Sequence, residues 1–158
     1  MKEEVKKGLS FGTTSGIITT LGLIVGLHSG THSKLVILGG ILTIAVADAF
    51  SDALGMHISE EAENHHTKKQ VWTSTIATFI AKFIFALTFV APILIFDLFT
   101  AIVVSVIWGL FILTILSYYI AKERNSSPLK AIFEHLAIAI IVIVITHYVG
   151  DFLALAVG

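Results

Sequence analysis

The chain contains no cysteine and only two prolines among its 158 residues. Without cysteine there is no disulfide framework, no thiolate metal site and no cysteine nucleophile. Charged residues are also scarce, at 13% of the sequence, whereas soluble domains average about 25%. Lysine and arginine together number 10 against 11 acidic residues. This balance excludes the strong basic excess that is typical of nucleic-acid binders.

The sequence also lacks the short motifs of the common enzyme classes. It has no GxSxG elbow, no Walker phosphate loop, no HExxH pair and no dinucleotide-binding fingerprint. We therefore expect neither an enzyme nor a pump driven by its own ATP hydrolysis. We also expect no permanently bound cofactor.

Apolar residues are abundant instead, at 56% of the chain, and the mean hydropathy is +0.93. A helix needs about 20 mostly apolar residues to cross the hydrocarbon of a bilayer. The sequence predicts five such helices, over residues 8–27, 35–57, 71–95, 98–120 and 131–157. Short turns join them, except for a polar linker at residues 58–70. We therefore expect an all-α membrane protein that forms one transmembrane domain, residues 1–158.

The positive charges predict the orientation of these helices. Eight of the ten cations lie before the first segment, in the 58–70 linker or between the fourth and fifth segments. The opposite side has only Lys34, and Lys82 falls inside the third segment. Because lysine and arginine accumulate in cytoplasmic loops, we expect the N-terminus in the cytoplasm and the C-terminus on the far side.

An acidic stripe runs along the second predicted helix. At about 100° per residue, one face carries Asp48, Asp52, Gly55, Ser59, Glu63 and His66, with Met56 at its edge. A carboxylate at membrane depth costs a few kcal/mol or more. Two carboxylates one turn apart also repel, so either one is protonated or a cation lies between them. Such a pair fits a site that exchanges a divalent metal for protons. The alternative is a packing contact, in which groups of neighbouring helices cap each aspartate.

Two polar residues of other helices are candidates for the same site. Lys82, near the middle of the third segment, is a possible countercharge that holds the empty site. Its alternatives are a lysine that snorkels to the interface and one that is paired structurally elsewhere. Ser15 lies near the cytoplasmic end of the first helix, at about the depth of Asp52, where its oxygen would complete a site.

A second group of possible ligands follows the stripe. It consists of Glu60, Glu61, Glu63, His65 and His66. Carboxylates and imidazoles suit Fe²⁺, Mn²⁺, Co²⁺ or Zn²⁺, so this group would collect cations from the cytoplasm. A solvated helix end is the plainer interpretation. On the far side, Asp97, His147 and Asp151 are together a hypothetical exit.

Four stretches of the sequence resemble a known family. They are TSGIITTLGLIVGL in the first helix, DALGMHISEEAE at the end of the second, FVAPILIF in the third and SPLKAIFEHLAIAIIVIVITHYVGDFLA in the fifth. They are similar to the vacuolar iron transporter family, whose members carry divalent iron and manganese and include many short prokaryotic proteins. The resemblance implies five transmembrane helices and a homodimer in which the first two helices line the path. It also implies the cell membrane of a prokaryote as the location.

The chain departs from the plant members at positions that matter for metal binding. Where those members carry an aspartate in the first helix, this chain has Ser15. Where they carry a glutamate and a methionine in the second helix, it has Ile44 and Asp52, and Asp48 falls at a small residue of the family. Only the 58–70 linker stands where they insert a metal-binding domain. We expect the two aspartates to form a harder, all-oxygen site that favours Mn²⁺ or Fe²⁺ over Cu⁺.

These observations together predict a homodimeric transporter that moves Fe²⁺ or Mn²⁺ out of the cytoplasm against protons. Glu60, Glu61 and Glu63 would collect the ion, Asp48 and Asp52 would bind it, and their reprotonation would release it. The expected partners are membrane lipid, divalent ions, protons and a second copy of the chain, and not nucleic acid. Two alternatives stay open: a non-transporting membrane protein whose acidic stripe is structural or sensory, and a transporter of another cation.

Overall fold

The structure, a computed structural model, describes residues 2–63 and 66–157. These residues form six helices and no strand: α1 (Glu3–Thr31), α2 (Lys34–Ala62), α3 (Lys68–Thr88), α4 (Val90–Ile95), α5 (Leu98–Glu123) and α6 (Pro128–Val157). Five spans are long and apolar enough to cross a membrane, and α3 with α4 makes up the third of them. The prediction of an all-α protein with five such spans is confirmed. The orientation of the termini stays a prediction.

The helix α1 lies at the centre of the bundle and packs against α2, α3, α5 and α6. Its glycines allow two neighbours to approach closely. A Cβ atom at Gly12 would lie 2.4 Å from the carbonyl oxygen of Thr78 on α3. On the α6 side, a Cβ atom at Gly150 would lie 2.3 Å from the carbonyl oxygen of Gly26. Small residues at helix contacts are the usual means of close packing in membranes, so α1 fixes the positions of α3 and α6.

The apolar core occupies the half of the bundle near the α1–α2 and α4–α5 turns. It is built from large buried side chains of several helices: Ile17, Leu21, Ile24, Val25, Ile37, Ile41, Phe89, Ile93 and Ile102. The opposite half holds the buried polar side chains that form the candidate site. In contrast, α6 lies at the periphery and exposes large apolar residues such as Phe133, Phe152 and Leu155. Such a surface is suited to contact with lipid.

The third predicted span contains a break between α3 and α4. Pro92 has no N–H to donate to the carbonyl of Thr88, so the helix cannot continue regularly through this turn. The chain instead makes a tighter turn, in which the N–H of Phe89 donates to the carbonyl of Ala86 at 3.2 Å. The Trp108 indole Nε1–H donates to the Thr88 hydroxyl at 3.1 Å. The predicted span over residues 71–95 is therefore present, but it consists of two helices, α3 and α4.

The linker predicted at residues 58–70 is largely helical. The end of α2 extends into it, so Glu60 lies within the helix. The start of α3 is fixed by a capping box, in which the Thr67 hydroxyl accepts from the Gln70 N–H and the Gln70 side chain accepts from the Thr67 N–H. His65, a predicted member of the acidic group, lies outside the described residues. Residues 58–62 of the predicted linker thus belong to α2, and residues 68–70 belong to α3.

Candidate metal site in the membrane

A buried lysine joins three helices in the polar half of the bundle. The Lys82 side chain on α3 is 1% exposed, and its Nζ lies 2.6 Å from Asp48 Oδ2 and 2.5 Å from Asp52 Oδ2 on α2. The same ammonium donates a hydrogen bond to Ser15 Oγ on α1 at 2.9 Å. We call these four residues the membrane cluster. The structure therefore brings together both aspartates of the stripe with Ser15 and Lys82, as the sequence predicted.

Small residues of α2 place the two aspartates beside the lysine. Ala45, Ala49 and Ala53 are buried along one edge of the helix, and they let α2 sit close to its neighbours. Asp48 and Asp52 lie one turn apart, so both carboxylates project toward the same neighbour. The geometry of the pair thus follows from helical spacing and from the small residues beside it.

The charges of the membrane cluster do not balance. Two carboxylates face one ammonium, which leaves a formal excess of one negative charge when all three are ionised. The ammonium is buried, whereas the Asp48 and Asp52 side chains are 30% and 19% exposed. The sequence left two ways to relieve the repulsion of the aspartates, and the structure shows a cation between them. That cation is Lys82.

The face of α2 that was expected to carry one continuous stripe is divided. Met56 is buried, with 8% of its surface exposed, so it faces the interior of the bundle. Gly55 and Ser59 are exposed. Glu60, in contrast, is 1% exposed, because α2 turns this side toward α1. The expected line of polar residues therefore separates into two clusters.

The second cluster, which we call the linker cluster, consists of Lys7, Glu60, Glu63 and His66. The Lys7 ammonium contacts the Glu60 carboxylate and lies 3.4 Å from Glu63 Oε1. His66 Nδ1 is 3.1 Å from Glu60 Oε2 and 3.8 Å from Glu63 Oε2. One potential ligand atom from each of Glu60, Glu63 and His66 lies within 4.8 Å of the others. This spacing is compatible with a single bound ion.

The remaining members of the acidic group behave differently. Glu61 is exposed, which agrees with a solvated helix end. That plainer interpretation does not apply to Glu60, since its carboxylate is buried and ion-paired. The sequence contains Lys7 as a possible partner for Glu60, but only the packing of α1 against α2 shows that these two side chains meet.

The three residues of the hypothetical exit do not form one group. Asp97 caps α5, where its Oδ2 accepts from the Thr100 N–H at 3.1 Å. This hydrogen bond lowers the pKa of Asp97, because it favours the ionised carboxylate. His147 and Asp151 lie on α6, with Nε2 and Oδ2 3.4 Å apart. The structure thus gives Asp97 a capping role and leaves the other two as a pair.

Five apolar spans with ionisable side chains held among them define an integral membrane protein. In a comparison with protein families, the model described as the VIT family matches residues 9–71. The matched region includes every residue of the membrane cluster except Lys82, and most of the linker cluster. This match supports the chain as a member of the vacuolar iron transporter family and confirms the resemblance seen in the sequence. No curated protein matches the chain. The family is one of membrane metal transporters and not of enzymes.

Proposed function

We propose that the protein carries Fe²⁺ or Mn²⁺ out of the cytoplasm in exchange for protons, and that the membrane cluster binds the ion. The observation that carries this proposal is the placement of the Lys82 ammonium. It lies 2.5–2.6 Å from two carboxylate oxygens that belong to different residues. The carboxylate oxygens that contact this ammonium are also the ligand atoms that a divalent metal ion needs.

The donor atoms favour a hard or borderline divalent ion. Asp48 and Asp52 offer carboxylate oxygens and Ser15 a hydroxyl oxygen, and such ligands suit Mn²⁺ and Fe²⁺ better than Cu⁺. A divalent ion would balance both carboxylates, whereas Lys82 balances only one. The ion therefore displaces the ammonium when it binds, and the ammonium competes with it when it leaves. This competition keeps the site from holding its cargo too tightly.

The linker cluster would supply ions to this site. Glu60, Glu63 and His66 are spaced for one ion, and exposed Glu61 adds negative charge nearby. Lys7 balances one of the two carboxylates when the linker cluster is empty, as Lys82 does in the membrane cluster. The charge distribution predicts that this end of the bundle faces the cytoplasm. The direction of transport is then from the linker cluster toward the opposite end.

A second copy of the chain would complete the path. The outward side of α2 is exposed in a single protomer, and a Cβ atom at Gly39 or Gly55 would have no neighbour within 4 Å. The two partly exposed aspartates border this side of the helix. A homodimer formed through α1 and α2 would cover it and enclose the ion. Protons are the exchange partner, because a carboxylate oxygen binds either a metal or a proton.

Flux through the purified protein tests the proposal. The full chain would be reconstituted into liposomes that contain a pH-sensitive dye, and Mn²⁺ or Fe²⁺ would be added outside. We expect metal uptake accompanied by loss of protons from the lumen. Asp48→Asn combined with Asp52→Asn should abolish both signals, because two amides cannot balance a divalent charge. Asp97→Asn, which changes an exposed carboxylate outside the cluster, is the matched control and should transport normally.

The same assay separates the alternatives. Undiminished flux in the double variant would exclude the membrane cluster as the binding site. No flux with either metal would favour a non-transporting protein, in which the Lys82 contacts only join helices. Flux of an organic cation that Mn²⁺ and Fe²⁺ fail to inhibit would indicate a transporter of another cation.

A further inference from the structure

We propose that a cavity at the linker-cluster end of the bundle binds one phospholipid whose headgroup carries both a phosphate and a primary ammonium. The cavity has a volume of about 940 Å³ and lies between the first three turns of α1, the end of α5 and the first two turns of α6. We call it the interface cavity. Its size is typical of sites for small organic ligands. Binding of this lipid involves no metal, so it is independent of the proposed transport.

The interface cavity exists because α1 and α6 meet at only one end of the bundle. Near the opposite end, a Cβ atom at Gly26 would lie 3.2 Å from the carbonyl oxygen of Thr146, so the two backbones nearly touch. At the linker-cluster end, both helices line the cavity instead. There α6 is joined to α5, where Ser117 Oγ and His135 Nδ1 lie 2.8 Å apart. A wedge-shaped gap therefore opens between α1 and α6, and α5 forms its third wall.

The interface cavity reaches from the expected level of lipid headgroups into the apolar layer. Tyr118 and Tyr119 on α5 are exposed, and tyrosine is enriched at the surface of a bilayer. The charged end of the cavity lies about one turn beyond them, at Arg124. Phe11 lines the cavity eight residues after Glu3, about 12 Å along α1. It is 44% exposed, although α1 is the central helix. A charged end and an apolar interior match the two parts of a phospholipid.

The charges that line the interface cavity balance one another. Three are positive and three are negative: Lys6, Lys7, Arg124, Glu3, Glu123 and Glu134. A purely anionic headgroup would therefore meet as many carboxylates as cations. A headgroup that carries one charge of each sign fits this lining better.

Two of these groups, Glu3 and Arg124, are brought to the same part of the cavity. Lys6 on α1 forms an ion pair with Glu123 on α5. Glu3 lies one turn before Lys6, and Arg124 directly follows Glu123. Among the described residues, neither the Glu3 carboxylate nor the Arg124 guanidinium has an ion-pair partner of its own. One anion and one cation are thus available to a ligand beside the pair that joins the helices.

These two groups indicate which headgroup binds. A guanidinium matches a phosphate through two parallel N–H donors, which Arg124 supplies. The Glu3 carboxylate accepts N–H groups, and the primary ammonium of phosphatidylethanolamine donates them. The trimethylated ammonium of phosphatidylcholine has no N–H, and phosphatidylglycerol has no cation to face Glu3. Phe11 and Ile120, which also line the cavity, would contact the acyl chains.

Lipid binding to the purified full chain tests this proposal. The protein would be stripped of lipid in detergent and given phosphatidylethanolamine, phosphatidylcholine or phosphatidylglycerol with identical acyl chains. Native mass spectrometry counts the bound lipids, and thermal unfolding measures the Tm. We expect one phosphatidylethanolamine to be retained preferentially and to raise the Tm most. Arg124→Gln and Glu3→Gln should each weaken its binding about fivefold, the effect of losing one exposed ion pair. Glu3→Gln should also narrow the preference over phosphatidylcholine.

Lys122→Gln is the matched control, because it removes a cation from the same turn of α5. The Lys122 ammonium lies over the ring of Tyr118, 5.8 Å from its centroid, and does not line the cavity. This variant should bind lipid like the wild type. Ala131→Phe places a ring in the cavity without changing its charge and should exclude the lipid. Equal unfolding temperatures without lipid would show that the variants are folded.

Three results would overturn the proposal. The first is equal retention of the three lipids by the wild type. The second is unchanged phosphatidylethanolamine binding in Arg124→Gln, Glu3→Gln and Ala131→Phe. The third is a rise in Tm with soluble phosphoethanolamine as large as that with phosphatidylethanolamine, which would identify a free ligand in place of a membrane lipid.

Discussion

The membrane cluster and the linker cluster pair acidic residues with one lysine, but they bury opposite partners. In the membrane cluster the lysine is 1% exposed while its aspartates are 30% and 19% exposed. In the linker cluster the lysine is 42% exposed and Glu60 is 1% exposed. The membrane cluster thus buries its lysine, whereas the linker cluster buries one carboxylate, Glu60, and leaves Lys7 and Glu63 accessible to solvent.

This difference affects how each cluster can admit an ion. The Lys7 ammonium can turn into water when a metal arrives, because its side chain is already partly exposed to solvent. The Lys82 ammonium has no such access, so displacing it exposes a charge to the protein interior. The linker cluster is therefore suited to collecting ions, and the membrane cluster to holding an ion only while the lysine is displaced.

The largest effect is expected from Lys82→Met. Two carboxylates would then face each other without a buried countercharge. We expect the free energy of unfolding of the metal-free protein to fall by about 3 kcal/mol, the low end for a broken buried pair, because the aspartates keep some solvent. Mn²⁺ should restore stability in this variant and raise its Tm more than it raises that of the wild type. Thermal unfolding in detergent with and without Mn²⁺ measures both effects.

Lys34→Met is the control for this experiment, since the hydrogen bonds of that lysine go to the backbone carbonyls of Leu94 and Phe96. It should unfold like the wild type and respond equally to Mn²⁺. If Mn²⁺ raised the Tm of Lys82→Met no more than that of the wild type, the ammonium would not compete with the metal. The difference in burial between the two clusters would then have no effect on metal binding.

Gly12→Ala should have the next largest effect. The new Cβ atom would lie 2.4 Å from a backbone oxygen of α3, so α1 must move away and weaken the contact between Ser15 and Lys82. We expect a loss of about 1–3 kcal/mol in unfolding free energy and weaker Mn²⁺ binding. Gly109→Ala is the control, because it meets only the flexible end of Leu21, at 2.7 Å. Equal losses in the two variants would show that the membrane cluster does not depend on the α1–α3 contact.

A smaller effect is expected from Glu60→Gln. The substitution removes a buried charge, and the freed Lys7 turns to solvent, so the unfolding free energy should change by about 1 kcal/mol or less. Metal uptake at low Mn²⁺ concentration should slow, whereas uptake at saturating Mn²⁺ should not. A destabilisation as large as that of Lys82→Met would contradict the idea that the two clusters release their lysines differently.

The smallest effect concerns Asp97, an exposed carboxylate that belongs to neither cluster. Its pKa is lowered by the hydrogen bond from the Thr100 N–H. The ionised form therefore stabilises the fold above the ordinary aspartate pKa of about 4, and this contribution is lost as the pH falls through the lowered value. In Asp97→Asn the side-chain oxygen can still accept the hydrogen bond from the Thr100 N–H, but its contribution to stability no longer depends on pH. Unfolding curves between neutral and acidic pH should show a slightly shallower decline in the variant, and identical curves would contradict the capping role.

Much of the fold could be predicted from the length and apolar character of the sequence segments. Five apolar segments of sufficient length predict five spans because a bilayer leaves few other arrangements for them. The pairing of Lys82 with the aspartates was also predictable, since a charge at membrane depth needs an opposite charge. The break at Phe89 had a local signal in Pro92, but a proline also occurs in helices that merely bend.

Other features depended on packing that no local pattern encodes. Glu60 is buried because α2 turns that side toward the start of α1, and helical periodicity alone assigned the polar face to other positions. Asp97 was grouped with His147 and Asp151 by depth in the membrane, but its place before α5 makes it a helix cap. The contact between Ser29 on α1 and Asp151 on α6 required the close approach of two helices far apart in sequence.

The location of a bound ion tests the central claim most directly. Crystals of the full chain soaked in Mn²⁺ should give an anomalous difference peak between Asp48 and Asp52, with the Lys82 ammonium moved away from both carboxylates. A peak confined to Glu60, Glu63 and His66, with Lys82 still bound to the two aspartates, would contradict a metal site in the membrane.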